Sequence, residues 1–426
     1  MKYLITILLT FIVSSMLYGQ ETLIHCGKFI DTQNGKVLSK QTITVSGNKI
    51  IKVEAGYASA KSNEHIINLK AYTVMPGFID MHVHIEGETN PKRYLETFTK
   101  NEADIAFTAA EIAERTLNAG FTTVRDLGGT GVNVSLRNAI NAGTIKGPRI
   151  FTAEKAIGTT GGHADPTNGY KNSLMGDPGP AEGVINSVDD ARKAVRQRYK
   201  NSADLIKITA TGGVLSISKN GENPQFRQEE VNEIVRTAKE YGMHVAAHAH
   251  GKEGMQRAIK AGVQTIEHGS FMDRETVALM KKYGTHLVPT LSAGKYVAAK
   301  AEIKGYYPDI IIPKIEKVDA TLKQTFTMLA QSDVNIAFGT DAGVFPHGEN
   351  AKEFKYMVDY GWSPLFALQS ATVTNAKLLD MEGNIGVLSE GAFADIIATK
   401  ENPIENISTT ENVMFVMKNG VVYKNK

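Results

Sequence analysis

The sequence predicts an α/β fold in which helices alternate with strands that are buried on both faces. In the middle of the chain, a stretch with a helical pattern repeatedly ends in glycine and is followed at once by an apolar strand; these glycines are Gly120, Gly242, Gly262 and Gly284. Glycine ends a helix easily because it adopts the left-handed conformation without a steric penalty. The strands that follow are too apolar to have a solvated face, which is typical of a parallel sheet covered by helices. The pattern alone does not distinguish a closed barrel from an open sheet.

One predicted helix can be checked by its periodicity. Residues 229–241 place Val231, Ile234, Val235 and Ala238 at the i, i+3, i+4 and i+7 positions. These positions form one stripe on a helix surface, so the helix is expected to pack this stripe against the sheet.

The two ends of the chain have a different pattern from the middle. Strand-like segments 42–45 and 49–53 flank a Ser-Gly-Asn turn, and segments 394–398 and 413–417 have the same character. We therefore expect residues 21–75 and 385–426 to form one small β domain, and residues 76–384 to form the main α/β domain.

Composition excludes some classes of partner. The chain has 47 Lys and Arg against 45 Asp and Glu, a formal net charge of +2. Binding to nucleic acid or to an anionic membrane would need a clear basic excess, so neither is expected. The charge balance does not by itself identify a small-molecule substrate, and self-association into a homo-oligomer is left open.

The first twenty residues predict a secretory signal peptide. Lys2 precedes a largely apolar run from Leu4 to Met16, and small or polar residues lead to a cleavage position near Gly19. The alternative is a retained membrane anchor, but the run is shorter than the roughly 20 residues that a span needs. The mature protein is therefore expected to be secreted or periplasmic, without stable membrane insertion.

Two histidines stand at the end of the first strand of the main domain. His82 and His84 are two residues apart, and side chains on a strand alternate between faces, so both imidazoles point the same way. Two imidazoles on one face suit a divalent metal ion. A bare pair could also be two solvated histidines, but the surrounding string Pro-Gly-Phe-Ile-Asp-x-His-x-His at 76–84 is much more specific.

This string resembles the first-strand signature of the amidohydrolase superfamily. The segment 388–397 is similar to the one that leads back to the β domain in that family. The resemblance implies a (β/α)8 TIM-type barrel with a small β-sandwich domain formed from both chain ends. It also implies two divalent metal ions and a lysine that carbon dioxide converts to a bridging carbamate. Zinc is expected first, while manganese, iron and cobalt remain open.

The resemblance also assigns the metal ligands and one catalytic group. The implied ligands are His82, His84, Lys207 as its carbamate, His248, His268 and Asp341. Asp341 is implied to shuttle the proton as well. Three alternatives stay open: Lys207 as a salt-bridged core lysine, His250 in place of His248, and Asp341 in an Asx turn or helix cap.

Other polar residues are candidates for contacts with substrate. His163 lies in the Gly-rich loop 158–165, where related enzymes often bind substrate, although it could be a plain loop histidine. His250 is the second candidate, and the segment 209–214 is expected to line the pocket or to form a flexible loop. Arg125-Asp126 is interpreted as a structural ion pair rather than as a catalytic one.

The branch that the chain resembles contains binuclear dipeptidases and carboxypeptidases together with imidazolonepropionase-like enzymes. We expect a metal-bridging hydroxide to attack a peptide-like C–N bond in dipeptides or N-acyl amino acids. A cyclic amidohydrolase that opens lactam or imidazolone rings is the alternative. A non-catalytic binding protein is a third possibility, which the complete ligand set disfavours.

Overall fold

The computed structural model describes residues 21–61 and 65–426, so the predicted signal peptide lies outside the described residues. The chain begins with strands β1 Thr22–Asp31, β2 Lys36–Ser46, β3 Lys49–Ala55, β4 His65–Pro76 and β5 Phe78–Val83. Helices and strands then alternate as α1 Arg93–Thr99, α2 Glu102–Asn118, β6 Phe121–Asp126, α3 Val132–Asn141, β7 Arg149–Thr152, β8 Gly158–Thr159, α4 Asn172–Met175, β9 Val184–Ile185, α5 Val188–Lys200, β10 Ile206–Thr209, α6 Gln228–Glu240, β11 Val245–Ala249, α7 Lys252–Ala261, β12 Thr265–His268, α8 Arg274–Tyr283 and β13 His286–Val288.

The last third of the chain is mostly helical before the strands return. It contains α9 Leu291–Ala301, α10 Ile312–Ala330, α11 Lys352–Tyr360, α12 Pro364–Gln369, a π-helical turn Ser370–Thr374, α13 Asn375–Leu378, β14 Ile396–Thr399, a 3-10 turn Ile407–Glu411, β15 Val413–Lys418 and β16 Val421–Asn425. Within the described residues, no helix combines the length and the apolar character needed to cross a membrane.

Both chain ends contribute to one seven-stranded sheet in the order β16-β15-β14-β4-β1-β2-β3. β1 pairs with β4 in parallel, and β4 pairs antiparallel with β14, which brings the two ends of the chain together. The core of this sheet is apolar and includes Ile24, Ile43, Leu69, Val74 and Phe415.

The middle of the chain forms parallel sheets covered by helices, as predicted. β5, β6 and β7 pair in parallel, and so do β10, β11, β12 and β13. Isolated parallel bridges extend these groups: Ile157, which follows β7, pairs with Ile208 of β10, and Leu287 of β13 pairs with Ile336. The segment that begins at Ile336 also returns to β5, where Ala342 bridges to Val83.

Local sequence explains where several helices begin and end. All four glycines predicted to end helices have positive φ, from 68° at Gly242 to 98° at Gly120. α8 begins after Asp273, whose side chain accepts a hydrogen bond from the backbone N–H of Thr276. The stripe predicted on residues 229–241 is buried in α6, because this face packs into the core.

Candidate active site

Predicted ligands from three separated parts of the chain meet at the carboxyl ends of the parallel strands. Asp341 Oδ1 lies 3.4 Å from Nε2 of His82 and 3.4 Å from Nε2 of His84. His268 ends β12, and its ring centroid lies 5.1 Å from that of His82. One donor atom from each of His82, His268 and Asp341 can therefore be chosen within 4.8 Å of the others, which is close enough to share a metal ion.

A second group of donors shares His268 with the first. His248 and His250 both point toward it, with ring centroids 4.6 Å and 4.9 Å from the His268 ring. Their donor atoms and that of His268 also lie within 4.8 Å of one another. His248 lies in β11 and His250 directly follows the strand, and both offer a donor atom to this group, so the choice between them as ligand stays open.

Lys207 is buried in β10 and lines the same cavity. Among residues 21–61 and 65–426, no carboxylate forms an ion pair with its ammonium group, which disfavours the alternative of a salt-bridged core lysine. Burial lowers the pKa of Lys207 to about 8, and the negative charges of Glu267 and Asp341 oppose that shift.

Asp341 combines a carboxylate oxygen without a hydrogen-bond partner among the described residues with a strained backbone conformation. Its Oδ1 is buried and accepts no hydrogen bond from the described part of the chain. The next helix, α11, begins only at Lys352, so Asp341 does not cap it. Burial raises the pKa of Asp341 to about 7, opposed by the positive charge of Lys207. Positive φ values at Asp341 (60°), His268 (72°) and Thr290 (52°) concentrate backbone strain around the site.

These residues fit divalent metal ions. Burial lowers the pKa of His250 to about 4, and it lowers the pKa values of His82, His248 and His268 well below 6.5. The imidazoles are therefore neutral at pH 7, as metal ligation requires. Neutral imidazoles around an orphaned carboxylate oxygen suit zinc and other first-row metals.

The interpretation of Arg125-Asp126 as an ion pair is wrong. Adjacent residues on β6 point to opposite faces, so the two side chains cannot meet. Arg125 instead pairs with Glu267 at 2.9 Å, and Asp126 accepts hydrogen bonds from Asn133 Nδ2 and Thr152 Oγ1.

Sequence reasoning missed two carboxylates that contact the ligand set. Glu267 Oε2 lies 2.9 Å from Nδ1 of His82. Asp80 accepts hydrogen bonds from the backbone N–H of His82 and from Thr340 Oγ1, which ties β5 to the segment that carries Asp341. The sequence feature that could have identified them is an acidic residue inside an otherwise apolar strand, because a buried carboxylate needs buried partners.

The site opens into a cavity of about 1480 Å³. His163 lines it, with its ring centroid 4.4 Å from that of His248 and its buried Nδ1 without a hydrogen-bond partner among the described residues. Gly213 packs so closely on this ring that a Cβ there would lie 2.2 Å from it. Thr209 and Val214 line the cavity, so both ends of the predicted pocket segment reach it.

Parallel strands, helices and this site together define a protein of the amidohydrolase class, and comparison with known proteins agrees. The chain belongs to the amidohydrolase family, whose model matches residues 73–423. The predicted family is therefore confirmed.

Individual relatives cover almost the whole chain. Ochratoxinase of Aspergillus niger is 31% identical, over 97% of this chain and 88% of that protein. The crystal structure of a Xaa-Pro dipeptidase with bound methionine in the active site is similar with a TM-score of 0.92 and 50% identity, covering 95% of this chain and 100% of that one. A prolidase complexed with N-methylphosphonate-L-proline is similar with a TM-score of 0.87 and 31% identity, over 95% and 100% of the two chains.

Proposed function

We propose that this protein is a binuclear metal-dependent hydrolase that cleaves the C–N bond of dipeptides or N-acyl amino acids and releases the C-terminal residue. The observation that carries the proposal is the convergence, in the lining of one large cavity, of buried imidazoles, the buried Lys207 and a carboxylate whose Oδ1 has no hydrogen-bond partner among the described residues. The relatives named as a Xaa-Pro dipeptidase and a prolidase make dipeptides ending in proline the first substrates to test.

The proposed scaffold is a (β/α)8 barrel formed by residues 76–384, with a small β-sandwich domain formed by 21–75 and 385–426. The parallel pairings support closure, because they run from β5 through β13 and return to β5 through the segment after Ile336. In such barrels, the side chains that follow the carboxyl ends of the strands form the active site. The predicted signal peptide would deliver the enzyme outside the cytoplasm.

The residues proposed to hold two divalent ions, zinc first, are His82, His84, Lys207 as a carbamate, His248 or His250, His268 and Asp341. When bound, the ions would supply Lewis acidity and would lower the pKa of water enough for it to attack at neutral pH.

Asp341 is proposed to move the proton. Its Oδ1 lies 3.4 Å from Nε2 of both His82 and His84 and accepts no hydrogen bond from the described residues, so it is free to accept a proton from the attacking water. The same oxygen would then return the proton to the leaving nitrogen, as general base and afterwards as general acid.

His163 and His250 are proposed to bind substrate from the cavity wall. The free Nδ1 of His163 provides a hydrogen-bonding position, and Gly213 leaves room for its ring. The cavity lining also includes Val214, Tyr307 and Ile311, which give an apolar surface for a side chain of the substrate.

The test is turnover by residues 21–426, purified and loaded with zinc, against dipeptides, N-acyl amino acids and lactams. Release of a C-terminal amino acid that depends on metal and on the identity of that residue is the expected result. If only lactams are hydrolysed, the protein is a cyclic amidohydrolase instead. If metal is bound at two per chain and no panel member is cleaved, the peptidase proposal fails.

A further inference from the structure

Each site histidine described above, except His163, has one ring nitrogen at hydrogen-bond distance from another group of the described residues. The partners of His84, His268 and His250 are neutral oxygens: Gly128 O at 2.7 Å, Thr290 Oγ1 at 2.7 Å and Ser270 Oγ at 2.8 Å from Nδ1. His248 differs in that its Nε2 is held, 3.0 Å from Gly212 O. The Nδ1 of His82 is instead held by a carboxylate, that of Glu267.

Glu267 is itself fixed by hydrogen bonds to the carboxylate oxygen that does not contact His82. Its other oxygen, Oε1, accepts hydrogen bonds from Arg125 Nη2 at 2.9 Å and from Thr265 Oγ1. Arg125 Nε also donates to the backbone carbonyl of Met81, the residue before His82, at 2.7 Å. The guanidinium therefore holds both the backbone next to His82 and the carboxylate that contacts its ring.

Arg125 and Glu267 are buried almost completely, with side-chain exposures of 1% and 0%. Removing two opposite charges from water costs about as much as their attraction returns, so such a pair is weak evidence for stabilisation. A role in orienting His82 gives a reason for burying this pair beside the site.

We propose that Glu267, held by Arg125, is the positioning residue that fixes His82 as the Nδ1–H tautomer and directs its Nε2 lone pair toward Asp341 and the metal position. A carboxylate that accepts the Nδ1 proton fixes the orientation of the ring and increases the basicity of Nε2. The inference rests on the proposed metal-dependent function, because a positioned lone pair has a role only if His82 binds metal.

A second buried pair in the same domain provides a matched control. Arg198 and Glu154 form an ion pair at 2.7 Å with side-chain exposures of 0% and 5%. The carboxylate of Glu154 accepts hydrogen bonds from Asn201 Nδ2 and from the backbone N–H of Lys155, and no imidazole of the described residues bonds to it. Glu154→Gln thus removes the same charge from a similar environment without touching the ligand set.

The experiment measures zinc affinity by competition with a chelator, without substrate, in Glu267→Gln and Glu154→Gln. Removal of an outer partner of a ligating histidine typically weakens metal binding by about 10- to 100-fold. We expect a loss of this size in Glu267→Gln and affinity within about twofold of wild type in Glu154→Gln. Equal affinity in Glu267→Gln and wild type would overturn the positioning role.

Two further measurements keep the inference testable. If Glu267→Gln does not fold, Thr265→Val removes one hydrogen bond to Glu267 Oε1 with little change in volume, and a smaller loss of affinity is expected. Unchanged affinity in that variant would then count against the role of Glu267. If wild-type protein binds no zinc, both proposals fail; if it binds two per chain but cleaves nothing, only the proposed substrate fails.

Discussion

The two parts of the molecule bury different kinds of side chain. The sheet built from the chain ends is filled mostly by apolar residues such as Ile24, Leu69 and Phe415, and its buried Lys418 donates a hydrogen bond to the carbonyl of Gly147. The carboxyl ends of the parallel strands bury ionisable groups, including Lys207 and Asp341. Burying apolar surface stabilises a fold, whereas burying a polar group without a full set of partners costs stability. We infer that the terminal sheet stabilises the fold. The carboxyl ends of the parallel strands lower the stability of the fold, because they bury the polar groups that are proposed to act in catalysis.

The largest expected effect comes from removing the lysine of the site. Lys207→Ala should abolish the binuclear centre and all metal-dependent turnover, because the proposed bridging group is lost. Lys418 is a matched control in the terminal sheet, since it is also buried, and burial lowers its pKa to about 8. Metal content per folded chain, measured by elemental analysis, should fall in Lys207→Ala and stay unchanged in Lys418→Ala. Full occupancy in Lys207→Ala would remove the bridging role.

The next effect tests the proton carrier. Asp341→Asn should leave the fold intact and lower kcat by roughly 10²- to 10⁴-fold, the usual contribution of general acid–base catalysis. Asp395→Asn removes a buried carboxylate that pairs with Arg149 beside the terminal sheet, so kcat per folded molecule should not change. Near-normal kcat in Asp341→Asn would rule out its assignment as the proton shuttle.

Shortening a buried apolar side chain in the terminal sheet should have the opposite result, which is a loss of stability without a loss of kcat. Ile24 is fully buried there, and Ile24→Ala should cost about 2–5 kcal/mol in the free energy of unfolding. Chemical denaturation measures this loss, and kcat of the remaining folded protein should equal that of wild type. A fall in kcat at full folded content would show that the two parts are coupled more closely than the comparison implies.

The last prediction concerns a pH dependence of stability that originates near the site. Glu353 is buried and accepts hydrogen bonds from the backbone N–H groups of Leu291 and Ser292, and burial raises its pKa from 4.5 to about 8. The folded chain therefore binds more protons than the unfolded chain between these values, so this stabilisation is complete below pH 4.5 and disappears as pH rises through about 8.

Glu353→Gln cannot titrate and should lack this contribution. The unfolding free energy of wild type minus that of the variant should therefore decrease as pH rises from 4.5 to 8. Denaturant titrations at several pH values measure it, and a constant difference would contradict the assigned pKa.

Much of the site could be predicted because strands impose a simple periodicity. His82 and His84 share a face by alternation alone, and the glycine-ended helices indicated where strands would follow. The contacts of Arg125 could not be predicted, because its partner Glu267 lies 142 positions away along the chain. The choice between His248 and His250 was not settled by periodicity either, because residues two apart are expected on one face, and in the structure both imidazoles lie beside His268.

The sequence by itself determined the α/β class, the family and the identity of the candidate ligands, because these depend on local patterns and on one specific motif. Tertiary structure alone decided that Glu267 contacts His82, that Asp341 Oδ1 stays unsatisfied, and that Lys207 has no ion-pair partner in the described part of the chain. These facts depend on which strands become neighbours, and that arrangement follows from packing the whole chain rather than from any local pattern.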